Sequence, residues 1–202
     1  QGDISRVADN ARKVTAELLP WVDDGYDVIA LVPSCSLMLK FEWPLILPEN
    51  QDIKKLSNAT FDVSEYIMDM ARQKQLRGGL KKIEGGVTVH LACHSRAQNM
   101  GPKAADMLRL IPDTEVVVVD RCSGHGGSWG IMKSNFETAL RVGQPVANKA
   151  AGANHSNVVS ECPLAREHIV QGMNQLGGSK SGNKVAAVCH PIEILAKSYG
   201  LQ

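Results

Sequence analysis

The second half of the chain alternates short β-branched runs with segments of helical spacing, and this alternation constrains the fold more than any other feature. Four runs predict strands, at Val87–Ala92, Glu115–Asp120, Asn157–Ser160 and Val185–Val188. Each run precedes a predicted helix, and these helices are expected at Pro102–Leu110, Ser128–Val142, Pro163–Leu176 and Pro191–Tyr199. Strands and helices that alternate at this spacing predict an α/β fold with a parallel sheet and helices on both faces.

The first 80 residues carry a less regular pattern. Four segments are expected here: a helix at Val7–Trp21, a strand at Tyr26–Val32, a helix at Ser36–Trp43 that Pro44 ends, and an irregular stretch at Pro48–Ala59. Asp62 and Glu65 have the spacing of a capping box, which predicts that a helix begins at Val63 and runs to Leu76. The polar, glycine-rich stretch Gly177–Asn183 is interpreted as a plain loop.

Length and charge exclude several classes of function. The 202 residues suffice for one domain, or for two small lobes that share a core. The net charge of +1 and the absence of a basic stripe argue against nucleic-acid binding. No run approaches the roughly 18 apolar residues that span a bilayer.

The opening residues do not resemble a secretory signal, and an odd number of cysteines, five, disfavours a disulfide framework. We therefore expect reduced thiols and a cytoplasmic protein.

Every cysteine follows a predicted strand. They are Cys35, Cys93, Cys122, Cys162 and Cys189. Open α/β sheets bind ligands beyond the carboxyl ends of their strands, and thiolates select iron–sulfur clusters, zinc or copper(I). Gly124 and Gly126 would let the backbone pass close to a bulky group and donate amide hydrogen bonds to sulfur. The alternative is that a single cysteine after a strand is a small buried apolar residue, which is favoured for Cys189. Spacing alone does not separate iron–sulfur from zinc.

The residues around three of these cysteines resemble a known motif. LACH contains Cys93, RCSGHGGSWG contains Cys122, and SECPLA contains Cys162. Together they resemble the second copy of the motif of the CCG-domain (cysteine-rich domain) iron–sulfur family, which includes the B subunit of heterodisulfide reductase and the carboxyl-terminal part of the C subunit of anaerobic glycerol-3-phosphate dehydrogenase. The stretch VIALVPSCSLMLKFEWP is similar to the end of the first copy, with Cys35 at its last cysteine position.

The resemblance implies two pseudo-repeated lobes, of which the first is incomplete. Residues 1–80 would be the end of the first cysteine-rich repeat with a connecting helix, and residues 81–202 would be the second repeat. The chain begins with Gln1 and lacks the upstream motif, so we expect it to be the carboxyl part of a longer protein.

The sequence departs from the family motif at two positions. Ser123 replaces the second cysteine of Cys-Cys-Gly, and Ala165 replaces the second cysteine of Cys-x-x-Cys. Three thiolates and one further ligand would hold a [4Fe–4S] cluster or, alternatively, zinc. The candidate ligands are Cys93, Cys122, Cys162, His125 and Cys35, with Gly124 and Gly126 also at the cofactor. His125 is the first candidate for the fourth ligand, followed by His94 and Cys189.

The resemblance implies a non-catalytic electron-transfer subunit of an oxidoreductase complex. It would receive electrons from a flavoprotein dehydrogenase or another redox subunit, in the cytoplasm or at the inner face of the membrane through that complex. The alternatives are a catalytic iron–sulfur site for disulfide reduction, a zinc-stabilised interaction domain, and a thiol-based redox sensor. Arg96 and Arg121 flank the predicted site, whereas His90 is interpreted as a hydrogen-bonded core histidine.

Overall fold

The computed structural model describes residues 2–176 and 187–201 of the chain, and within them it shows the predicted α/β fold. The strands are β1 (Val28–Ala30), β2 (Thr60–Asp62), β3 (Val87–His90), β4 (Val116–Val119), β5 (Asn157–Ser160) and β6 (Ala187–Cys189). In the described residues β1 and β2 form a two-stranded sheet, and the other strands form a four-stranded sheet in the order β4-β3-β5-β6. All neighbouring strands are parallel.

Helices connect the strands, as parallel pairing requires. They are α1 (Ile4–Asp23), α2 (Pro33–Leu37), α3 (Trp43–Ile46), α4 (Gln51–Asn58), α5 (Val63–Arg72), α6 (Cys93–Ala97), α7 (Lys103–Leu108), α8 (Phe136–Ala153), α9 (Pro163–Leu176) and α10 (Pro191–Ser198). A π-helical turn, Met38–Glu42, joins α2 to α3. The predicted capping box is present, since Asp62 accepts from the N–H of Ser64 and Glu65 accepts from the N–H of Asp62.

Helices cover both faces of the larger sheet. On one face Val87 and Val89 pack with Met107 of α7 and Ile194 of α10. On the other face the buried cluster comprises Val119, Val146, Ala150, Val158 and Ile169, which brings α8 and α9 against β4 and β5. A third cluster joins α1, α3 and α4 beside the smaller sheet, and its buried members are Ala11, Leu39, Trp43, Ile53 and Leu56.

The register of the larger sheet places three strand ends side by side. His90, the last residue of β3, is paired with Val119 of β4 and with Ser160 of β5. Because β3 lies between β4 and β5, the segments that leave these three strands emerge at one edge of the sheet. This edge carries the candidate site.

Several sequence-based boundaries are wrong. The stretch expected to be irregular, Pro48–Ala59, contains α4, whose N-cap Asn50 accepts a hydrogen bond from the N–H of Ile53 at 3.0 Å. This helix has only eight residues, and its two buried apolar side chains, Ile53 and Leu56, are too few to establish a helical period from the sequence. The sequence analysis does not identify strand β2, which has only three residues and ends at Asp62, the first residue of the capping box.

The helix expected at Ser128–Val142 begins eight residues later than predicted, at Phe136. The preceding segment forms turns, and Gly124, Gly126 and Gly127 there have positive φ values. Pro44 lies in α3, which continues directly from the π-helical turn, and therefore does not end a helix. The backbone oxygen of Lys40, four residues earlier, accepts from the hydroxyl of Ser57 at 2.7 Å. The short helix α6, which begins at Cys93, was not predicted.

The strands of the smaller sheet come before residue 80 in the sequence, and those of the larger sheet come after it. The proposed boundary between two repeats at residue 80 stays a prediction. The loop expected at 177–183 and the start of the strand expected at Val185–Val188 lie outside the described residues. Across 2–176 and 187–201 we find no helix whose length and apolar character would suffice for a bilayer crossing.

Candidate functional site

Three cysteines from three different strand-following segments line one cavity of about 180 Å³. They are Cys93 after β3, Cys122 after β4 and Cys162 after β5, and His94, His125 and Gly126 share the lining with them. Cys93 and Cys122 are exposed, whereas Cys162 is half-buried. The cavity is several times the volume of one water molecule, which takes about 30 Å³ in the liquid. It therefore has room for a group of several atoms.

The thiol of Cys93 has a cationic neighbour. Cys93 is the first residue of α6, and one turn later Nη2 of Arg96 lies 3.8 Å from its Sγ. The same guanidinium donates from Nη1 to the backbone oxygen of Asp120 at 2.8 Å. Arg96 thus joins the Cys93 helix to the segment that carries Cys122, and it places positive charge beside a sulfur.

Cys122 sits in a turn that only glycine permits. The N–H of Gly124 donates to Sγ of Cys122 at 3.4 Å. Gly124 has φ +89°, and a Cβ on it would lie 2.2 Å from the backbone oxygen of Ala139 in α8. Both the positive φ and the close approach of the helix therefore require glycine. The predicted amide hydrogen bond to sulfur is present in the structure.

Cys162 is paired with a histidine. Its Sγ lies 3.7 Å from Nε2 of His125, whose Nδ1 accepts a hydrogen bond from the N–H of Gly127 at 2.9 Å. Burial acts to raise the pKa of Cys162, but the hydrogen bond with His125 and those from the amides of Ala165 and Leu164 outweigh it, so the pKa is lowered. The pKa of His125 is raised, chiefly by the same contact with Cys162. A lowered thiol pKa favours the thiolate form, which metals require.

A buried carboxyl group joins two of the cysteine segments. Glu161, which precedes Cys162, is 1 % exposed. It accepts hydrogen bonds from the hydroxyl of Ser64 at 2.6 Å and from the hydroxyl of Ser95 in α6. The pKa of Glu161 is raised to about 7, first by burial and then by the negative charge of Asp62. Sequence reasoning missed this residue, because its partner Ser64 is 97 positions away and no local pattern links them.

The remaining cysteines lie elsewhere. Cys35 is exposed on α2, outside the cavity. Cys189 is the last residue of β6 and packs against the main hydrophobic cluster. Burial, followed by the charge of Glu193, raises the pKa of Cys189 to about 11. Cys189 is thus a half-buried residue that packs against the apolar core. Within 2–176 and 187–201, no three His, Cys, Asp or Glu side chains are gathered closely enough to hold one metal ion.

Known proteins similar to this chain include subunits of oxidoreductases and a protein named as an iron–sulfur protein. No protein-family model matches the chain. It is 27% identical over 146 residues to the C subunit of anaerobic glycerol-3-phosphate dehydrogenase from Escherichia coli strain K12. The aligned residues make up 72% of this chain and 36% of that protein. It is 24% identical over 172 residues to an uncharacterized iron–sulfur protein of Methanocaldococcus jannaschii, covering 84% of this chain and 32% of the relative.

A third relative is the D subunit of dihydromethanophenazine:CoB–CoM heterodisulfide reductase from Methanosarcina acetivorans, 24% identical over 156 residues, or 74% of this chain and 36% of that protein. The chain thus spans about a third of the length of these relatives. The predicted resemblance to the glycerol-3-phosphate dehydrogenase component is confirmed. A heterodisulfide reductase subunit is also among the relatives, in this case a D subunit, and the resemblance to the B subunit stays a prediction. Assignment to the CCG domain stays a prediction.

Proposed function

We propose that this chain is an electron-transfer part of an oxidoreductase subunit and that it binds an iron–sulfur cluster in the cavity at the carboxyl edge of its larger sheet. The observation that carries the proposal is that Cys93, Cys122 and Cys162, from three separate segments, line that one cavity. The relatives, which include an iron–sulfur protein and two oxidoreductase subunits, support the same function.

The side chains that line the cavity are of the types that bind such a group, although in the described residues no three of them are gathered closely enough for a single metal ion. Three thiolates are the ligands that iron–sulfur clusters prefer, and the cavity has room for more than a single ion. His125 would supply the fourth ligand through Nε2, which lies beside Cys162. The ring proton would then have to be on Nδ1, where the backbone oxygen of Gly127, 3.3 Å away, would accept it. We propose a [4Fe–4S] cluster, with zinc as the alternative metal, and when bound the cluster would supply one-electron transfer. Cys35 stays a separate prediction, since it lies outside the cavity.

The surrounding residues would set the properties of the site. The amide of Gly124 and the guanidinium of Arg96 face the sulfurs of Cys122 and Cys93. Hydrogen bonds and positive charge at cysteine sulfur stabilise the more negative, reduced state and raise the reduction potential. The exposure of Cys93 and Cys122 leaves the site accessible to an electron donor. We propose that this donor is a flavoprotein dehydrogenase or another redox subunit.

Metal analysis after anaerobic reconstitution tests the proposal. The chain is incubated with iron and sulfide without oxygen, desalted, and analysed for iron, sulfide and zinc together with its absorption spectrum. We expect a brown protein with about four iron and four sulfide per chain. Zinc bound in their place, with no visible absorption band, would favour a zinc-stabilised interaction domain and contradict the proposal.

Replacing Cys122 by serine tests the ligand set. We expect Cys122→Ser to lose most of its iron, because a hydroxyl is a much poorer ligand for iron–sulfur clusters than a thiolate. Cys189→Ser is the matched control, since Cys189 lies outside the cavity and should be dispensable for iron binding. Cys35→Ser, measured alongside, tests the separate prediction for Cys35. Full retention of iron by Cys122→Ser would show that the proposed ligand set is wrong.

A further inference from the structure

His90 makes two hydrogen bonds that link the segments on either side of it. It is the last residue of the inner strand β3, is 2 % exposed, and contributes to the lining of the cavity. Its Nε2 lies 2.9 Å from the backbone oxygen of Arg121, the residue before Cys122. Its Nδ1 lies 3.1 Å from the hydroxyl of Ser160, the last residue of β5.

These contacts have one consistent direction. A carbonyl oxygen only accepts hydrogen bonds, so the proton of a neutral ring must be on Nε2. Burial lowers the pKa of His90, which favours the neutral ring. Nδ1 then accepts from the hydroxyl of Ser160, and the oxygen of Ser160 accepts from the N–H of Cys162 at 3.3 Å. A directed chain therefore runs from the Cys162 amide through Ser160 and His90 to Arg121.

We propose that His90 is a positioning residue, which sets the separation of Cys122 and Cys162 across the cavity by holding Arg121 with one ring nitrogen and Ser160 with the other. The inference rests on the proposed function, because it assigns His90 a role toward the cysteine ligands. β4 and β5 lie on opposite sides of β3. A side chain at the end of β3 is thus placed to bridge the segments that leave both neighbouring strands.

The geometry separates His90 from the other histidines of the cavity. Both of its ring nitrogens are occupied, so ligating a metal would break at least one of these bonds. His125, by contrast, directs Nε2 toward a cysteine sulfur. Glu161 links a different pair of cysteine segments, since it joins the Cys162 segment to Ser95 in the Cys93 helix. Partners that orient ligands in this way commonly change metal affinity by about 10–100-fold when removed.

Nuclear magnetic resonance of the metal-free protein tests the hydrogen-bond chain directly. The ¹⁵N chemical shifts of the His90 ring should be those of the neutral Nε2–H tautomer, and the amide of Cys162 should exchange slowly with solvent. In His90→Ala, the Cys162 amide should lose protection. A ring protonated on Nδ1, or an equally protected Cys162 amide in the variant, would overturn the inference. Neither measurement depends on a cluster being bound.

Reconstituted variants test the consequence for the ligands. We expect His90→Ala to release iron to a chelator at about 10–100-fold lower chelator concentration than the unaltered chain, with a changed visible circular dichroism spectrum. His90→Gln keeps one donor and one acceptor and should recover part of the affinity. Ser160→Ala removes the hydroxyl that links His90 to the Cys162 amide. Its iron retention should lie between those of His90→Ala and the unaltered protein, and it provides a test if His90→Ala folds poorly.

The matched control is the buried histidine at the opposite edge of the sheet. His155 is 7 % exposed, and its Nδ1 lies 3.0 Å from the hydroxyl of Thr88. His155→Gln should alter stability but leave the visible spectrum and iron retention unchanged. Equal effects of His90→Gln and His155→Gln on the spectrum would contradict the positioning role. If the unaltered chain binds no iron while the tautomer and exchange results hold, the proposed function fails and the hydrogen-bond chain stands.

Discussion

Replacing Gly143 by alanine is expected to destabilise the protein by about 2–3 kcal/mol, although alanine ordinarily stabilises a helix interior. Gly143 lies in α8, where a Cβ would be 2.2 Å from the backbone oxygen of Ser123, the residue after Cys122. Backbone atoms cannot rotate away, so the helix and the Cys122 segment must separate. Gly124, in the Cys122 segment, contacts the same part of α8, since a Cβ on Gly124 would lie 2.7 Å from the backbone nitrogen of Gly143.

Denaturant unfolding of the metal-free protein measures this effect. Gly152→Ala in the same helix is the control, because a Cβ at Gly152 meets nothing within 4 Å. Because Gly152 lies in the last turn of α8, this variant should gain at most about 0.5–1 kcal/mol in the free energy of unfolding. Gly143→Ala should also bind less iron than Gly152→Ala, since the displaced segment carries Cys122. Similar stability for the two variants would mean that α8 does not approach the cysteine segment this closely.

Deprotonation of one buried carboxyl group, that of Glu161, is expected to lower the free energy of unfolding of the metal-free protein by up to about 3 kcal/mol between pH 4.5 and pH 8. Its pKa is about 7 in the folded protein against an ordinary value of 4.5. The folded state therefore binds this proton more tightly than the unfolded state, and each pH unit in the interval is equivalent to about 1.36 kcal/mol. The contribution is complete below the unfolded value and is lost as pH rises through about 7.

Glu161→Gln removes the titration while an amide remains in the same place. The free energy of unfolding is measured for both proteins from pH 5 to pH 8. Over that range the unaltered chain should lose about 2–3 kcal/mol relative to the variant. Burial also raises the pKa of Asp62, so part of the slope should persist in the variant. Glu167→Gln is the control, because the side chain of Glu167 is 62% exposed. A difference between the variant and the unaltered chain that stays constant with pH would contradict the assignment to Glu161.

The parallel strands of the second half were predictable, whereas much of the first half was not. The strands Val87–His90, Val116–Val119 and Asn157–Ser160 each contain at least two valines, and β-branched residues of this kind are typical of buried parallel strands. By contrast, α4 buries only Ile53 and Leu56, and β2 is three residues long. Elements this small are stabilised by packing with distant segments, which leaves little local signal.

The placement of cysteines after strands could be inferred from local pattern, because apolar runs and turn residues mark strand ends. Which of those ends are neighbours follows from the strand order β4-β3-β5-β6, and long-range packing sets that order. The contacts of His90 with Arg121 and Ser160, and of Glu161 with Ser64, join residues far apart in the chain. Such pairs have no periodic spacing, since each depends on how separate elements meet in three dimensions. Local chemistry thus specified the side chains at the edge of the sheet, and packing determined which of them face one another.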